Sequence, residues 1–328
     1  MIGVKCIGRL SKLAILLFAI TILTSGCGKK QEEVAVTYET KNYNTSLYEA
    51  ELFASDLCVA SADITLEGAP ETTGLHAAAL FDVNNKKTDF AYRVHERLYP
   101  ASTTKIMTAL VAIKNADLSD IVTVSSAADV NTFAADESTC GIHVGDQMTL
   151  LDLLYGLLLQ SGNDNAVAIA EHVGGSVENF VQMMNDEAQN LMATNTHFVN
   201  SNGLHNNNHY TTAYDLYLIF NECIKYDEFI QMIQADSYTA DITAADGTVR
   251  QDTWELTNFY ATGEAALPEN ATIIGGKTGT TSLAGNCLIL LEKDANDNPY
   301  ISIVMGADTK ALLYQDMTAL INGIPTNE

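Results

Sequence analysis

Hydrophobic residues follow different spacings along the chain, and each spacing predicts a different kind of element. Near the beginning, the apolar runs 76–83 (HAAALFDV) and 89–94 (DFAYRV) flank the turn Asn84-Asn85. Short runs around such a turn are typical of an antiparallel hairpin. Strand-like runs return near the end of the chain, at 271–274, 286–291 and 300–305, with the turn-rich 294–299 before the last of them.

The middle of the chain has helical spacing instead. A helix is predicted after Pro100, with Ser102 in its first turn, and another over 149–160, where Thr149 and Asp152 stand as an N-cap pair. Further helices are predicted over 177–191, from 212 onward, and over 313–321. The order of elements indicates an α+β fold: an antiparallel sheet assembled from both ends of the chain and flanked by helices, with a helical region inserted.

The first 26 residues have a composition of their own. Three bases and no acid accompany the apolar run 13–23, which is shorter than the roughly 20 residues of a spanning helix. This pattern favours an export signal over a permanent transmembrane helix. The small residues before Cys27 resemble the lipobox of bacterial lipoproteins, although Thr24 stands where that pattern prefers Leu. We therefore expect cleavage after residue 26 and lipidation of Cys27, which would anchor an exported protein on the outer face of the cytoplasmic membrane.

Residues 27–46 are polar and without period, so they are interpreted as a tether, and residues 47–328 as one folded domain. A hydrophobic content of 47% excludes a disordered chain. The 17 basic and 41 acidic residues give a net charge of −24, which is the wrong sign for binding nucleic acid. The scattered cysteines Cys58, Cys140, Cys223 and Cys287 have no metal-binding or disulfide-scaffold spacing and are predicted to be buried as small apolar residues.

Three short patterns can carry chemistry. In the first, Ser102-Thr103-Thr104-Lys105, a hydroxyl and an amine lie on one helix face, as a serine nucleophile and its base require. An amine acts as a base near neutral pH only if burial or a second cation lowers its pKa, and Lys277 is a candidate for that cation. The structural alternative is a capping serine followed by a solvated lysine.

The second pattern, Ser161-Gly162-Asn163, follows a helix and can present a hydroxyl and an amide from a rigid support. Its alternative is a helix end followed by a new N-cap. In the third, 277–280 (KTGT), an ammonium and hydroxyls on a strand can bind a carboxylate, Gly279 leaves room for a substrate strand, and the amide of Thr280 can face an oxyanion. The alternative is an edge strand protected by a lysine.

Together and in this order, the three patterns form the motif set of the penicillin-recognising serine enzymes. Segments 98–110, 160–166, 202–216 and 275–287 closely resemble the D-alanyl-D-alanine carboxypeptidases, the low-molecular-mass penicillin-binding proteins of the S11 peptidase type. The resemblance runs from about residue 77 to 320. It implies a β-lactamase/transpeptidase-like fold and hydrolysis of the terminal D-Ala from peptidoglycan stem peptides, with β-lactams as covalent inhibitors and no metal or cofactor.

The resemblance also implies a role for each motif residue. Ser102 would be acylated, Lys105 would take its proton, and Ser161 would help pass a proton to the leaving D-Ala. The substrate would be bound by Asn163 at its amide, by Lys277 and Thr278 at its terminal carboxylate, and by the backbone N–H groups of Ser102 and Thr280 at the oxyanion.

Two features depart from the family pattern. Lys310 follows the last strand where relatives often have an arginine that helps bind the carboxylate, and an ammonium cannot make the bidentate contact of a guanidinium. The sequence also ends at Glu328 without the β-rich domain and amphipathic anchor of many relatives, so attachment is expected through Cys27. His197, His205 and His209 do not form a metal-binding pattern, because no helical face or accompanying Glu joins them.

Two other functions remain open. A serine β-lactamase shares the nucleophile and the fold. An enzyme of the common type needs a glutamate-positioned water, and the acids between Asn163 and Lys277 lack that context. The other alternative is a non-catalytic lipoprotein that binds penicillin or cell wall. Retention of Ser102, Lys105 and Lys277 argues against it, since a binding protein needs no nucleophile.

Overall fold

Strands from both ends of the chain pair in one antiparallel sheet. A computed structural model describes residues 54–326, and the predicted signal (1–26) and tether (27–46) lie outside that range. Its strands are β1 (Ala77–Asp82), β2 (Lys87–Tyr92), β7 (Thr272–Thr281), β8 (Gly285–Lys293) and β9 (Pro299–Ala307). Their order in the sheet is β2-β1-β9-β8-β7. The predicted antiparallel sheet, assembled from both ends of the chain, is therefore confirmed. The run at 271–274 is the beginning of a longer strand that includes the third motif.

The sheet is apolar on both faces because each face has its own core. Phe81, Ile289 and Ile303 belong to the larger core, which the sheet shares with most of the helices. Leu80 and Leu290, one position away in each strand, belong to a smaller core beneath the C-terminal helix. Alternate side chains of a strand point to opposite faces, so burial on both faces explains why β8 and β9 are mostly apolar instead of alternating.

The helical region lies between the two halves of the sheet in sequence. It contains α1 (Lys105–Asn115), α2 (Leu150–Leu159), α3 (Asn163–Gly174), α4 (Val177–Asn190), α5 (Ala213–Cys223) and α6 (Asp227–Gln234), and the chain returns after β9 to α7 (Lys310–Asn322). Two short 3₁₀ helices, Ala101–Thr104 and Val130–Thr132, precede α1 and α2. The predicted N-cap pair is confirmed: the N–H of Asp152 donates to Thr149 Oγ1 at 3.0 Å, and the N–H of Thr149 donates to Asp152 Oδ2 at 2.8 Å.

A second antiparallel sheet was not predicted. Its order is β3-β4-β5-β6, from the strands β3 (Ile121–Thr123), β4 (Gln147–Thr149), β5 (Ser237–Thr243) and β6 (Val249–Glu255). This sheet lies beside α2. The hydroxyl of Tyr238 on β5 donates to Asp152 Oδ1 of α2 at 2.7 Å. Among residues 54–326, no helix combines the length and the hydrophobicity needed to cross a bilayer.

Candidate active site

The first motif straddles two helices. Ser102 lies in the 3₁₀ helix Ala101–Thr104 rather than in the first turn of an α-helix, and Lys105 begins α1. The tighter 3₁₀ turn brings residues i and i+3 into line along one side. Lys105 Nζ is consequently 3.0 Å from Ser102 Oγ. The structure thus brings the hydroxyl and the amine of this motif into hydrogen-bond contact.

Lys105 is completely buried and makes two further hydrogen bonds. Its Nζ is 2.8 Å from Asn163 Oδ1 and 2.6 Å from the carbonyl oxygen of Asn202. A carbonyl oxygen can only accept. A neutral amine would therefore donate its two hydrogens to these oxygens and direct its lone pair at Ser102. Burial, reinforced by the positive charge of Lys277, lowers the pKa of Lys105 well below its usual value, which favours this neutral form.

The second motif forms a tight turn between α2 and α3. Ser161 has a left-handed backbone, with φ of 62°, and Asn163 is the first residue of α3. A Cβ atom at Gly162 would lie 2.6 Å from Cys140 Sγ and 2.8 Å from Asn165 Oδ1, so only glycine fits there. The turn directs Ser161 to Lys277, whose Nζ is 3.1 Å from Ser161 Oγ.

The third motif lies on β7, at the edge of the five-stranded sheet. Burial lowers the pKa of Lys277 to about 7, and its Nζ also donates to the carbonyl oxygen of Thr278 at 3.0 Å. A Cβ atom at Gly279 would lie 2.9 Å from the carbonyl oxygen of Pro100 and 3.0 Å from the nitrogen of Ser102. The absence of a side chain at Gly279 therefore lets β7 approach the helix that carries the hydroxyl.

These three motifs border one cleft of about 280 Å³. Its lining includes Ser102, Ser161, Thr278, Gly279 and Thr280 from the motifs and Ser138, Gln160, Thr257, Phe259, Cys287, Lys310, Leu313 and Tyr314 from other segments. None of these lining residues, all within the described part of the chain, is an aspartate or a glutamate. The cleft therefore presents hydroxyls and the ammonium of Lys310 to an anionic ligand, while the motif lysines Lys105 and Lys277 are buried beside it.

A sequence model of the D-alanyl-D-alanine carboxypeptidase family, Peptidase S11, matches residues 65–309. The chain belongs to this family. It is 33% identical over 239 residues to the D-alanyl-D-alanine carboxypeptidase DacF of Bacillus subtilis, covering 71% of this chain and 57% of the relative. It is 36% identical over 197 residues to the D-alanyl-D-alanine carboxypeptidase of Streptomyces sp., covering 57% of this chain and 66% of the relative. The chain spans less than two thirds of the length of these relatives.

The fold is likewise that of the family. The crystal structure of the Streptomyces K15 DD-transpeptidase superposes with a TM-score of 0.71 at 30% identity, over 78% of this chain and 98% of that one. The match confirms the predicted β-lactamase/transpeptidase fold with its antiparallel sheet and flanking helices.

Some residues at the S11 site were not predicted. The carbonyl of Asn202 belongs to a loop in which Gly203 has φ of 88°, and a Cβ atom there would collide with the carbonyl of Ala101. Two contacts of the second motif were also not predicted: the Asp164 carboxylate accepts from the N–H groups of residues 140–142, and the carbonyl of Ser138 accepts from the N–H of Asn163. The Asn202-Gly203 pair in a polar loop was the only sequence feature that pointed to the Asn202 contact. It was not enough to predict the contact, because the acceptor is a backbone carbonyl, which any residue type supplies.

His209 has a structural contact at this site. Its Nδ1 accepts from the N–H of Val199 at 3.1 Å, so its Nε2 carries the hydrogen and donates to Thr104 Oγ1 at 2.8 Å. Burial lowers the pKa of His209 to about 4 and keeps the ring neutral.

Across residues 54–326, no three His, Cys, Asp or Glu side chains are grouped as metal ligands would be. Of the four cysteines in this range, Cys58, Cys223 and Cys287 are buried as predicted, whereas Cys140 is partly exposed; all four are free thiols.

Proposed function

We propose that this protein is a serine D-Ala-D-Ala carboxypeptidase that removes the terminal D-Ala of peptidoglycan stem peptides through an acyl-enzyme on Ser102. The observation that carries the proposal is the Lys105 amine, buried with a lowered pKa and 3.0 Å from Ser102 Oγ. A serine hydroxyl needs an adjacent base to become a nucleophile at neutral pH, and a buried neutral lysine supplies one.

In the proposed acylation, Lys105 Nζ takes the hydroxyl proton as Ser102 Oγ attacks the carbonyl carbon of the penultimate D-Ala. The backbone N–H groups of Ser102 and Thr280 would bind the oxyanion that forms. Collapse of this intermediate breaks the peptide bond, and the proton that Lys105 took from Ser102 passes through the Ser161 hydroxyl to the leaving amine, which restores neutral Lys105. Lys277, whose Nζ contacts Ser161 Oγ, stays protonated. Free D-Ala departs, and water then hydrolyses the Ser102 ester to restore the enzyme.

Substrate binding would use the remaining motif residues. The ammonium of Lys277 and the hydroxyl of Thr278 would hold the terminal carboxylate, with Lys310 on the same cleft as an additional cation. Asn163 Oδ1 is occupied by Lys105, which leaves its NH₂ group to donate to the substrate backbone. The outer edge of β7 at Gly279 is unpaired within the sheet, so the peptide can add there as a further strand.

A serine β-lactamase is the nearest alternative. A β-lactamase of the common type needs a carboxylate beside the acyl-enzyme to activate water. Among the described residues, the cleft lining has no carboxylate, so we expect a long-lived penicillin adduct rather than rapid turnover. The other alternative is a lipoprotein that binds penicillin or cell wall without catalysis. The contact between Ser102 Oγ and the Lys105 amine argues against it, because a binding protein needs neither a nucleophile nor a base.

Intact-mass spectrometry of the purified protein tests the proposal. With a pentapeptide ending in D-Ala-D-Ala, we expect release of one D-Ala per peptide. With benzylpenicillin, we expect a stoichiometric adduct on the peptide that contains Ser102. Rapid penicillin hydrolysis with intact pentapeptide would establish the β-lactamase instead, and an adduct-free protein that only binds either ligand would establish the non-catalytic alternative.

The pH dependence follows from the two buried lysines. Lys105 acts only when neutral, so acylation should rise with pH as its lowered pKa is passed. Lys277 binds a carboxylate only when protonated, and its pKa is about 7, so kcat/KM for the peptide should fall again at alkaline pH. The apparent pKa values belong to the coupled pair. A peptide with a C-terminal amide is the control: it has no carboxylate for Lys277 to bind, so its kcat/KM should not fall at alkaline pH. Identical pH profiles of kcat/KM for both peptides would contradict the role of Lys277.

We further propose that residues 1–26 are removed on export and that Cys27 is then lipidated, with 27–46 as tether and 47–328 as the catalytic domain. In a bacterial host, Cys27→Ser should abolish incorporation of radiolabelled palmitate and release the protein from the membrane fraction. Cys6→Ser, in the segment to be removed, is the matched control and should leave both unchanged. Labelling that persists in Cys27→Ser would overturn this anchor.

A further inference from the structure

Asp164 is a buried carboxylate directly behind the Ser161 turn. It follows Asn163 and has 0% of its surface exposed. Its oxygens accept hydrogen bonds from the backbone N–H groups of Cys140 at 2.9 Å, Gly141 at 2.9 Å, Ile142 at 3.3 Å and Asn165 at 3.0 Å. Four amides directed at one carboxylate form an anion-binding nest, built in this case around a side chain of the chain itself.

These contacts join two segments that are distant in sequence. The nest holds residues 140–142 against the first turn of α3, and the N–H of Asn163 donates to the carbonyl of Ser138 at 2.9 Å. The side chain of Cys140 fills the space behind Gly162. These contacts therefore fix two parts of the cleft lining relative to each other: the segment that contains Ser138 and the turn that contains Ser161 and Asn163.

We propose that Asp164 is a positioning residue for acylation: through this nest it holds the Ser161 turn in its left-handed conformation and places a negative charge behind Lys105. The inference rests on the proposed function. A left-handed Ser161 is strained, and such strain persists only where surrounding contacts fix the backbone. Since Asn163 Oδ1 and Lys105 Nζ are in contact, a displaced turn would also displace the base.

Charge is the second part of the role. The ionisable groups that act on Lys105 include Lys277 from β7, Cys140 and Glu137 from the segment before α2, and Asp164 from α3. His209 also interacts with Lys105, and burial keeps its ring neutral. Burial raises the pKa of Asp164, while its four backbone hydrogen bonds act in the opposite direction. Each of those bonds comes from an N–H donor, as an ionised carboxylate requires. Removing this charge would make the protonated form of Lys105 less favourable and lower its pKa further.

Asp164→Asn tests the proposal. The asparagine has no negative charge, and its NH₂ group would face backbone N–H groups that are also donors, so part of the nest would be lost. Asp215→Asn is the matched control: Asp215 is 2% exposed and accepts from the N–H of Asn195 and the hydroxyl of Thr196, away from the cleft lining. The measurement is benzylpenicillin acylation, resolved into the dissociation constant and the acylation rate constant over a range of pH, well below the unfolding temperature of each variant.

For Asp164→Asn we expect the acylation rate constant to fall about 10-fold to 100-fold, as for a misplaced catalytic group, with the dissociation constant nearly unchanged. The acid limb of the pH profile should move to lower pH. The control should lose comparable thermal stability without either change. An unshifted profile, or an equal loss of rate in the control, would overturn the proposal.

Gly141→Ala keeps the inference testable if Asp164→Asn fails to fold. Gly141 has φ of 78°, and an added Cβ would meet no atom within 4 Å, so the substitution strains only the backbone of the nest. We expect a smaller loss of acylation rate, about 3-fold to 10-fold, again with an unchanged dissociation constant. Unaltered kinetics would count against the nest. Failure of the wild-type protein to form an adduct would instead refute the proposed function, so the two failures are distinguishable.

Discussion

Ser102→Ala is expected to abolish covalent labelling by fluorescent penicillin while leaving the fold intact. Ser102 is the cleft hydroxyl in contact with Lys105, whose lowered pKa allows it to accept a proton. Ser161 contacts Lys277 instead, on the side assigned to the leaving group. The alanine variant keeps the two other hydrogen bonds of Lys105, so the unfolding free energy should change by only about 1 kcal/mol.

Labelling is read from gel fluorescence and from intact mass, and the fold from circular dichroism and thermal unfolding. Ser119→Ala, at an exposed serine bonded to Asp117, is the matched control and should label like the wild type. Covalent labelling that survives in Ser102→Ala would point to another nucleophile. Loss of labelling together with loss of the folded spectrum would require the experiment to be repeated with Ser102→Gly, for which the same absence of adduct is expected.

The five-stranded sheet could be predicted because a strand that is buried on both faces has an apolar sequence, and such a run is visible in the chain. β8 and β9 are buried at nearly every position and mostly apolar, and turn residues separate them. The smaller sheet left no such trace. β3 and β4 have three residues each, and β5 and β6 alternate exposed and buried positions with many polar residues. These strands depend on tertiary pairing, such as that of Gln147 with Thr243, which no local pattern specifies.

The same distinction applies to the candidate site. Its side-chain groups could be located from three motifs, because each motif concentrates reactive residue types within four positions. The supporting atoms could not, since several are backbone groups: the carbonyl of Asn202, 97 residues from Lys105, and the amides of residues 140–142. Any residue except proline offers the same amide. The left-handed conformation of Ser161 is also invisible in the sequence, because serine usually avoids it.

Lys105→Met is the second variant with a large expected effect. Methionine is unbranched like lysine and one atom shorter, but it has no basic nitrogen, so Ser102 would lose its proton acceptor. General base catalysis typically contributes 10²-fold to 10⁴-fold, and we expect the acylation rate constant to fall by about 10³-fold. The oxygens of Asn163 and Asn202 would lose their donor, at a cost of about 1–3 kcal/mol in unfolding free energy.

Lys114→Met is the matched control, because Lys114 lies on the same helix with its amine 2.7 Å from Glu187 at the surface. Both variants replace a lysine of α1 by methionine, so a general effect of losing a lysine side chain from this helix would appear in both. Acylation should be slowed only in Lys105→Met, and raising the pH should not restore it, since no ionisable amine remains beside Ser102. An acylation rate constant within about 10-fold of the wild type would show that Ser102 is activated by a different group. Lys277 would then be the base to test, because its pKa of about 7 also permits a neutral amine.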